Sequence, residues 1–246
     1  MLLTLTAFWL LVLAGATRAE RRRRYLAKSA DAWWLDGTGL LIQGAVVPVL
    51  EITLLLAGLR TLVPGLQASL HLPGDDFSSG FALNVLLVDY LYYWNHRLLH
   101  TPRLWPLHLV HHTLRDMDVV GTSRNTAWTS FLILYVWLNS IMLFVLAEPA
   151  GYAAGAALTA SLDLWRHSEL GPAPGSRLAR SLGRVLVLPC HHAWHHAREL
   201  ARGNYGANFS LWDRLHGTWI ERDHAPARLG VPTALPLWRQ LWWPFA

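Results

Sequence analysis

Nine histidines in this chain fall where imidazoles can meet. His96 and His100 stand at i, i+4 in "HRLLH"; His108, His111 and His112 stand at i, i+3, i+4 in "HLVHH"; and His192, His195 and His196 repeat that pattern in "HAWHH". His167, in "HSEL", stands alone. Three or four residues along a helix return a side chain to the same face, so each box is expected to aim its imidazoles at one point. Imidazole suits iron, zinc, copper and nickel. An ordinary structural zinc takes four ligands, so nine nitrogens point to two metal ions, with positions left for solvent or oxygen. His71, His216 and His224 have no partner at ligand spacing and are read as structural. His191 lies beside the third box but out of phase with it, and its role stays open.

Metal-bound imidazoles give their other N–H to a carboxylate or carbonyl. Asp89, Tyr93, His96 and His100 fall on one helical stripe, and Asp163 precedes His167 by four. Asp89, Tyr93 and Asp163 are therefore expected to support the ligands from behind, while no catalytic side chain outside the metal centre is legible. Carboxylates inside apolar segments are costly enough to suggest function, although Glu51 is far from every box. A single cysteine, Cys190, excludes an internal disulfide and any thiolate-rich zinc or iron–sulfur site.

The elements that must carry these residues are apolar. Of 246 residues, 53% are hydrophobic and 15% charged, against roughly 25% charged in an average soluble domain. The 14 tryptophans belong to a residue type that gathers at membrane interfaces. Five crossings are expected: 1–17, about 38–59, about 77–94, 126–147, and about 149–165. With Met1 outside, the inner segments 18–37, 95–125 and 166–246 hold six, four and ten of the 21 Lys and Arg residues, and the outer loops hold Arg60 alone. That asymmetry follows the positive-inside rule. It predicts an all-α, multi-pass membrane helical bundle whose histidine boxes form a cytoplasmic metal cap, with the C-terminus also cytoplasmic. An amphipathic helix is expected at 176–188, with Leu178, Leu182, Val185 and Leu186 on one face. The ending "LWRQLWWPFA" reads as an interfacial anchor. The net charge of +5 is explained by topology, and no nucleic-acid motif accompanies it.

The segments "DYLYYWNHRLLH", "HLVHHT", "TSR" at 122–124, "HSEL", "PCHHAWHH" and "NYGANFSLWDRLHGTW" together resemble the fatty acid hydroxylase/sterol desaturase superfamily of integral-membrane di-iron enzymes. The resemblance covers roughly residues 80–220. It divides the chain into membrane anchor helices (1–79), a di-iron domain (80–220) and an interfacial tail (221–246). It implies two non-haem irons held by the three boxes and His167, O2 as co-substrate, and attack on an unactivated C–H bond of a lipid. Hydroxylation is the preferred outcome and desaturation the alternative. His216 departs from the resemblance, standing where an aromatic residue is usual. "HLPG" at 71–74 is not a haem-binding motif and no nucleotide fingerprint occurs, so electrons are expected from a separate cytochrome b5-like or ferredoxin-like donor. A membrane zinc hydrolase would need a general base near the metal, and no H-E-x-x-H occurs. A metal transporter or haem carrier would place its histidines within the spans.

Overall fold

The structure, a computed structural model, describes residues 2–199 and 202–245. Met1 and Ala246, at the ends of the predicted first span and tail, lie outside the described residues. Among these residues the chain is helical, with isolated β-bridges and no strand.

Helix α1 (Leu2–Ala16) is apolar throughout, and α2 (Ala19–Leu26) carries the arginine run. The two meet at 103°. Arg22 Nη1 reaches back to the Ala16 carbonyl at 2.8 Å, satisfying one of the carbonyls that every helix C-terminus leaves unpaired. Ser29 then caps α3, accepting from Ala32 N at 3.2 Å. Helix α3 runs Ala30–Leu62 over 33 residues, about 50 Å at 1.5 Å per residue. Pro48 has no N–H to give to the preceding turn, and the helix widens to π geometry at Ile42–Val46 just before it.

Helix α4 spans 76–99, starting at the Asp75 cap (Ser78 N, 2.9 Å). It stops before Thr101-Pro102, where the residue ahead of a proline disfavours helix. A short helix α5 (Pro106–Leu109) and 3₁₀ turns lead to α6 (Leu134–Val145) and α7 (Ala150–Arg166). The remaining helices are short: α8 (Arg177–Leu182), α9 (Pro189–His195), α10 (Ser210–Leu215) and α11 (Leu237–Trp242).

Small residues let α4 and α7 approach closely, as in membrane helix pairs. A Cβ on Gly151 would overlap the Phe77 carbonyl, and one on Gly155 would lie 2.9 Å from Asn84 Cβ. A part-buried polar chain joins them by way of α6: Tyr152 OH donates to Asn139 Oδ1 at 2.9 Å, and Asn84 Nδ2 donates to the same oxygen at 3.5 Å.

Two expected elements differ from the sequence reading. The fourth crossing, 126–147, is helical only from Leu134 to Val145 among its residues before 146. Thr129–Leu132 forms a 3₁₀ turn, Thr129 Oγ1 bonds the Thr126 carbonyl at 2.9 Å, and Thr126 Oγ1 bonds the Gln240 carbonyl of the tail at 2.7 Å. Threonine hydroxyls compete with the helix ladder in this way. The 176–188 helix ends at Leu182, because Val185 O and Val187 N pair with Ser210 N and Asn208 O in bridge-like contacts. Leu178, Leu182 and Val185 remain exposed.

Of the described helices, α3 alone is long and apolar enough to cross a membrane, and the bent α1–α2 pair passes the same test when taken together. Helix α6 is apolar but has 12 residues, about 18 Å, short of a hydrocarbon core of about 30 Å. Leu5, Trp9 and Leu13 of α1 and Trp34, Leu41 and Ile52 of α3 are uncovered. Apolar surface of this extent marks a contact with a membrane or with another protein.

Gly151→Ala is expected to lower stability by about 1–3 kcal/mol through overpacking. Gly37→Ala, where a Cβ meets nothing within 4 Å, is expected to be neutral or stabilising by up to about 1 kcal/mol. Thermal unfolding of both variants in one detergent checks the pair.

Candidate metal centre

All nine box and "HSEL" histidines converge, in two groups. His96, His100, His108, His112 and His195 form one, and His111, His167, His192 and His196 form the other; within each, the potential ligand atoms lie within 4.8 Å of one another. The boxes therefore do not each aim at one point. In every box the i, i+4 pair enters one group, and in both triplets the i+3 residue enters the other. On α9 an i+4 side chain lies about 40° around the helix from residue i and an i+3 side chain about 60° the other way, so the 192–196 triplet fans across two targets, while the 108–112 triplet does so across the junction of α5 with a 3₁₀ turn. His112 and His196, one from each group, stack with ring centroids 4.4 Å apart.

Four of these imidazoles are held from behind by main-chain carbonyls. His96 Nδ1 is 2.9 Å from Tyr205 O, His195 Nδ1 2.7 Å from Gly203 O, His111 Nδ1 3.2 Å from Arg124 O, and His167 Nδ1 2.9 Å from Asp163 O. A carbonyl only accepts, so Nδ1 carries the proton and Nε2 keeps a lone pair directed into the group. Burial pushes the His96, His108, His112, His192, His195 and His196 imidazoles well below their usual range, and His111 down to about 3. They are neutral at physiological pH, as metal ligands must be.

The donor set fits metal ions. His111 Nε2 and His167 Nε2 face each other at 3.4 Å, and with both Nδ1 atoms protonated, two lone pairs meet with no hydrogen between them. His96 Nε2 and His108 Nε2 lie 3.0 Å apart, and His167 Nε2 and His192 Nε2 3.1 Å. Two nitrogens about 2.1 Å from one ion and at right angles are separated by about that much. Both nitrogens of His112 and His196, with His195 Nε2 and His192 Nδ1, are buried without a hydrogen-bond partner. Orphaned polar atoms of this kind are costly unless something binds them.

Asp163 faces His167 with both its carboxylate and its main-chain carbonyl, whereas Asp89 and Tyr93 act differently from the sequence reading. Asp89 touches no histidine: its carboxylate accepts from Asn208 N (2.8 Å), Phe209 N (3.1 Å) and Trp212 Nε1 (2.7 Å). Asp163 presents its main-chain carbonyl to His167, while its carboxylate pairs with Arg166 Nη2 at 2.8 Å and stays 3.5 Å from His167 Nδ1. Tyr93 OH receives Arg97 Nη1 and contacts Thr218 Oγ1, both at 3.0 Å; Thr218 donates to Asp213 Oδ1 at 2.6 Å.

Asp213 and Asn204 were not singled out from sequence. Buried Asp213, its carboxyl pushed up by burial, accepts from Tyr205 N (2.8 Å) and Gly206 N (2.7 Å). Asn204, at φ 53°, a left-handed conformation that asparagine tolerates, donates to the His191 and Ile220 carbonyls and accepts from Ile220 N. Between them they fix the two carbonyls that hold His195 and His96. "NYGANFSLWD" contains these residues, but its carbonyls carry no signature of their own.

The other histidines stand apart from both groups. His191 Nδ1 accepts from Leu188 N at 3.1 Å, capping α9, and its ring meets Trp219. His216 stacks on Tyr93 at 5.1 Å, filling an aromatic residue's place. His71 and His224 are exposed.

A helical scaffold with two adjoining all-imidazole groups has the donor set to hold metal ions. The fatty acid hydroxylase profile matches residues 81–218, and the chain belongs to that family. It is 31% identical to the ornithine lipid hydroxylase OlsE of Rhizobium tropici over 172 residues, 67% of this chain and 48% of that protein. It is 30% identical to the alkylglycerol monooxygenases of Xenopus tropicalis, over 56% of this chain and 30% of that protein, and of Homo sapiens, over 54% and 28%. The matched region thus spans about half or less of these relatives. No solved structure matches the chain.

Asp89→Leu strands three donors, each costing about 1–3 kcal/mol, and is expected to unfold the 203–209 segment. Asp89→Asn keeps an acceptor oxygen and should be milder. His191→Ala should cost about 1 kcal/mol, the worth of a helix cap. Thermal unfolding and amide exchange at 203–209 read all three.

Proposed function

We propose that the chain is a membrane non-haem di-iron oxygenase that hydroxylates an unactivated C–H bond of a lipid. One oxygen atom of O2 enters the C–H bond and the other leaves as water, with two electrons and two protons drawn from a separate cytochrome b5-like or ferredoxin-like donor. The observation that carries this reading is the pair of adjoining groups with inward lone pairs, inside the region that matches the family. In this reading His96, His100, His108, His112 and His195 hold one iron, and His111, His167, His192 and His196 hold the other. Iron, when bound, supplies the oxygen chemistry.

The chain's own contribution is to orient and exclude. Carbonyls of Tyr205, Gly203, Arg124 and Asp163 keep four Nδ1 protons pointed outward. Burial keeps the His96, His108, His111, His112, His192, His195 and His196 imidazoles neutral and withholds bulk water from the centre. Asp89, Tyr93 and Asp163 act at one remove, through the segments and helix turn that carry those carbonyls. The relatives, two kinds of hydroxylating enzyme, favour hydroxylation over desaturation and a lipid as substrate. We further propose that residues 1–79 anchor the domain 80–220, that 221–246 is an interfacial tail, and that the histidine groups and the C-terminus face the cytoplasm with the N-terminus outside.

Iron-loaded protein is expected to hold about two irons per chain. His112→Ala or His196→Ala should lose at least one, and His191→Ala none. Full occupancy in both ligand variants would sink the assignment. Lipid mass spectrometry of a host with and without the gene should show a lipid gaining one oxygen atom in an O2-dependent manner; a loss of two hydrogens instead would indicate desaturation. Orientation is tested on a Cys190→Ser background, where an impermeant thiol reagent applied outside should label Pro149→Cys and leave Arg115→Cys unlabelled.

A further inference from the structure

Four charged side chains are buried together away from the histidines. Lys28 Nζ lies 2.5 Å from Asp36 Oδ2 and 2.7 Å from Asp118 Oδ2, and Arg124 Nε donates to Asp36 Oδ1 at 2.6 Å. Asp36 is fully buried and Arg124 is 5% exposed. Burying such a set is expensive, and well-packed apolar residues often serve stability as well. The cluster grips both ends of one turn. Asp118 Oδ1 accepts Gly121 N at 2.9 Å at its start; at its end the Arg124 guanidinium also reaches Thr113 Oγ1 at 3.3 Å. The Arg124 carbonyl is the acceptor for His111 Nδ1. Helix α3 also meets the turn main chain against main chain, since a Cβ on Gly39 would overlap the Ser123 carbonyl.

We propose that Asp36 and Lys28, which lie outside the region matching the family, are positioning residues for the second histidine group: through Arg124 and the turn 118–124 they set the ring orientation and tautomer of His111. This rests on the reading of His111 as a metal ligand. The chain of contacts leaves His96 and His195 alone, because their carbonyls come from the separate 203–205 segment.

The test compares Asp36→Asn, Asp36→Leu and the double variant Asp36→Leu/Arg124→Met. The double variant removes both partners and leaves no unpaired buried guanidinium, which protects the fold where Asp36→Leu alone fails. In metal-free, ¹⁵N-histidine-labelled protein, long-range ¹H–¹⁵N spectra read each ring's tautomer. The double variant is expected to shift His111 from the Nδ1–H form to a mixture while His96 and His195 keep theirs, and Asp36→Asn to restore the Nδ1–H form. Co(II)-loaded protein is then challenged with a chelator. The release phase abolished by His192→Ala should quicken about 10-fold, the lower end for loss of an outer partner, and the other phase should hold. An unchanged His111 tautomer in the folded double variant overturns the proposal, as does equal quickening of both phases. Failure of the wild-type protein to bind Co(II) would instead count against the metal-binding reading, and the tautomer result would still stand by itself.

Discussion

The structure turns on one interaction, the hydrogen bond from an imidazole Nδ1–H to a main-chain carbonyl. It occurs at His96, His111, His167 and His195, two in each group. A neutral bond of this kind contributes only about 0.5–1.5 kcal/mol, so its importance is directional. It removes the choice of tautomer and turns the Nε2 lone pairs toward a shared centre. Burial holds the His96, His111 and His195 rings neutral, so lone pairs converging within each group repel until a cation lies between them. Binding a cation then stabilises the fold, as it does wherever ligands are arranged by folding.

Much of the polar core follows from the need to place four carbonyls. Two lie on the irregular segment 203–205, which has no ladder of its own to fix it. Asp213 accepts from the Tyr205 and Gly206 amides, Asp89 accepts from the Asn208 and Phe209 amides just beyond, and Asn204 closes the pairs across to His191 and Ile220. A third is the carbonyl four residues before His167 on the same helix, so α7 provides it without any special device. The fourth ends the turn 118–124 and is fixed from outside that turn.

The nine histidines were legible because a repeated i, i+3, i+4 spacing of one residue type is improbable without a shared target. Their division between two groups was less so. Spacing gives the face of a helix, and separating the 40° and 60° offsets needs a known direction to each target. The carbonyls were invisible in principle, since every residue type carries one. Asp163 shows the difference: its carboxylate, legible from spacing, lies 3.5 Å from His167 Nδ1, while the nearer acceptor, at 2.9 Å, is its own backbone carbonyl. The segment 126–133 was misjudged for a related reason. Its threonines and serine count as compatible with an apolar span by composition, yet Thr129 Oγ1 bonds the local Thr126 carbonyl and Thr126 Oγ1 the Gln240 carbonyl of the tail, which detaches the segment from α6.

The N-terminal cations have two consequences at different stages. In the sequence, Arg21, Arg24 and Lys28 belong to the charge run from which the proposed orientation is argued, and the unfolded chain has not yet paired them. In the folded protein they are spent: Arg24 binds Glu169 through both terminal nitrogens at 2.6 and 2.8 Å, Arg21 Nε lies 3.2 Å from the same carboxylate, and Lys28 joins Asp36 to Asp118. Glu169 lies two residues after His167, and Asp118 opens the turn that supports His111. Pairs like these add little net stability, but breaking one strands a charge, so they penalise any other docking of the anchor against the cap. A charge run read from sequence as a topology signal is therefore also the register that seats the N-terminal helices beside the second histidine group.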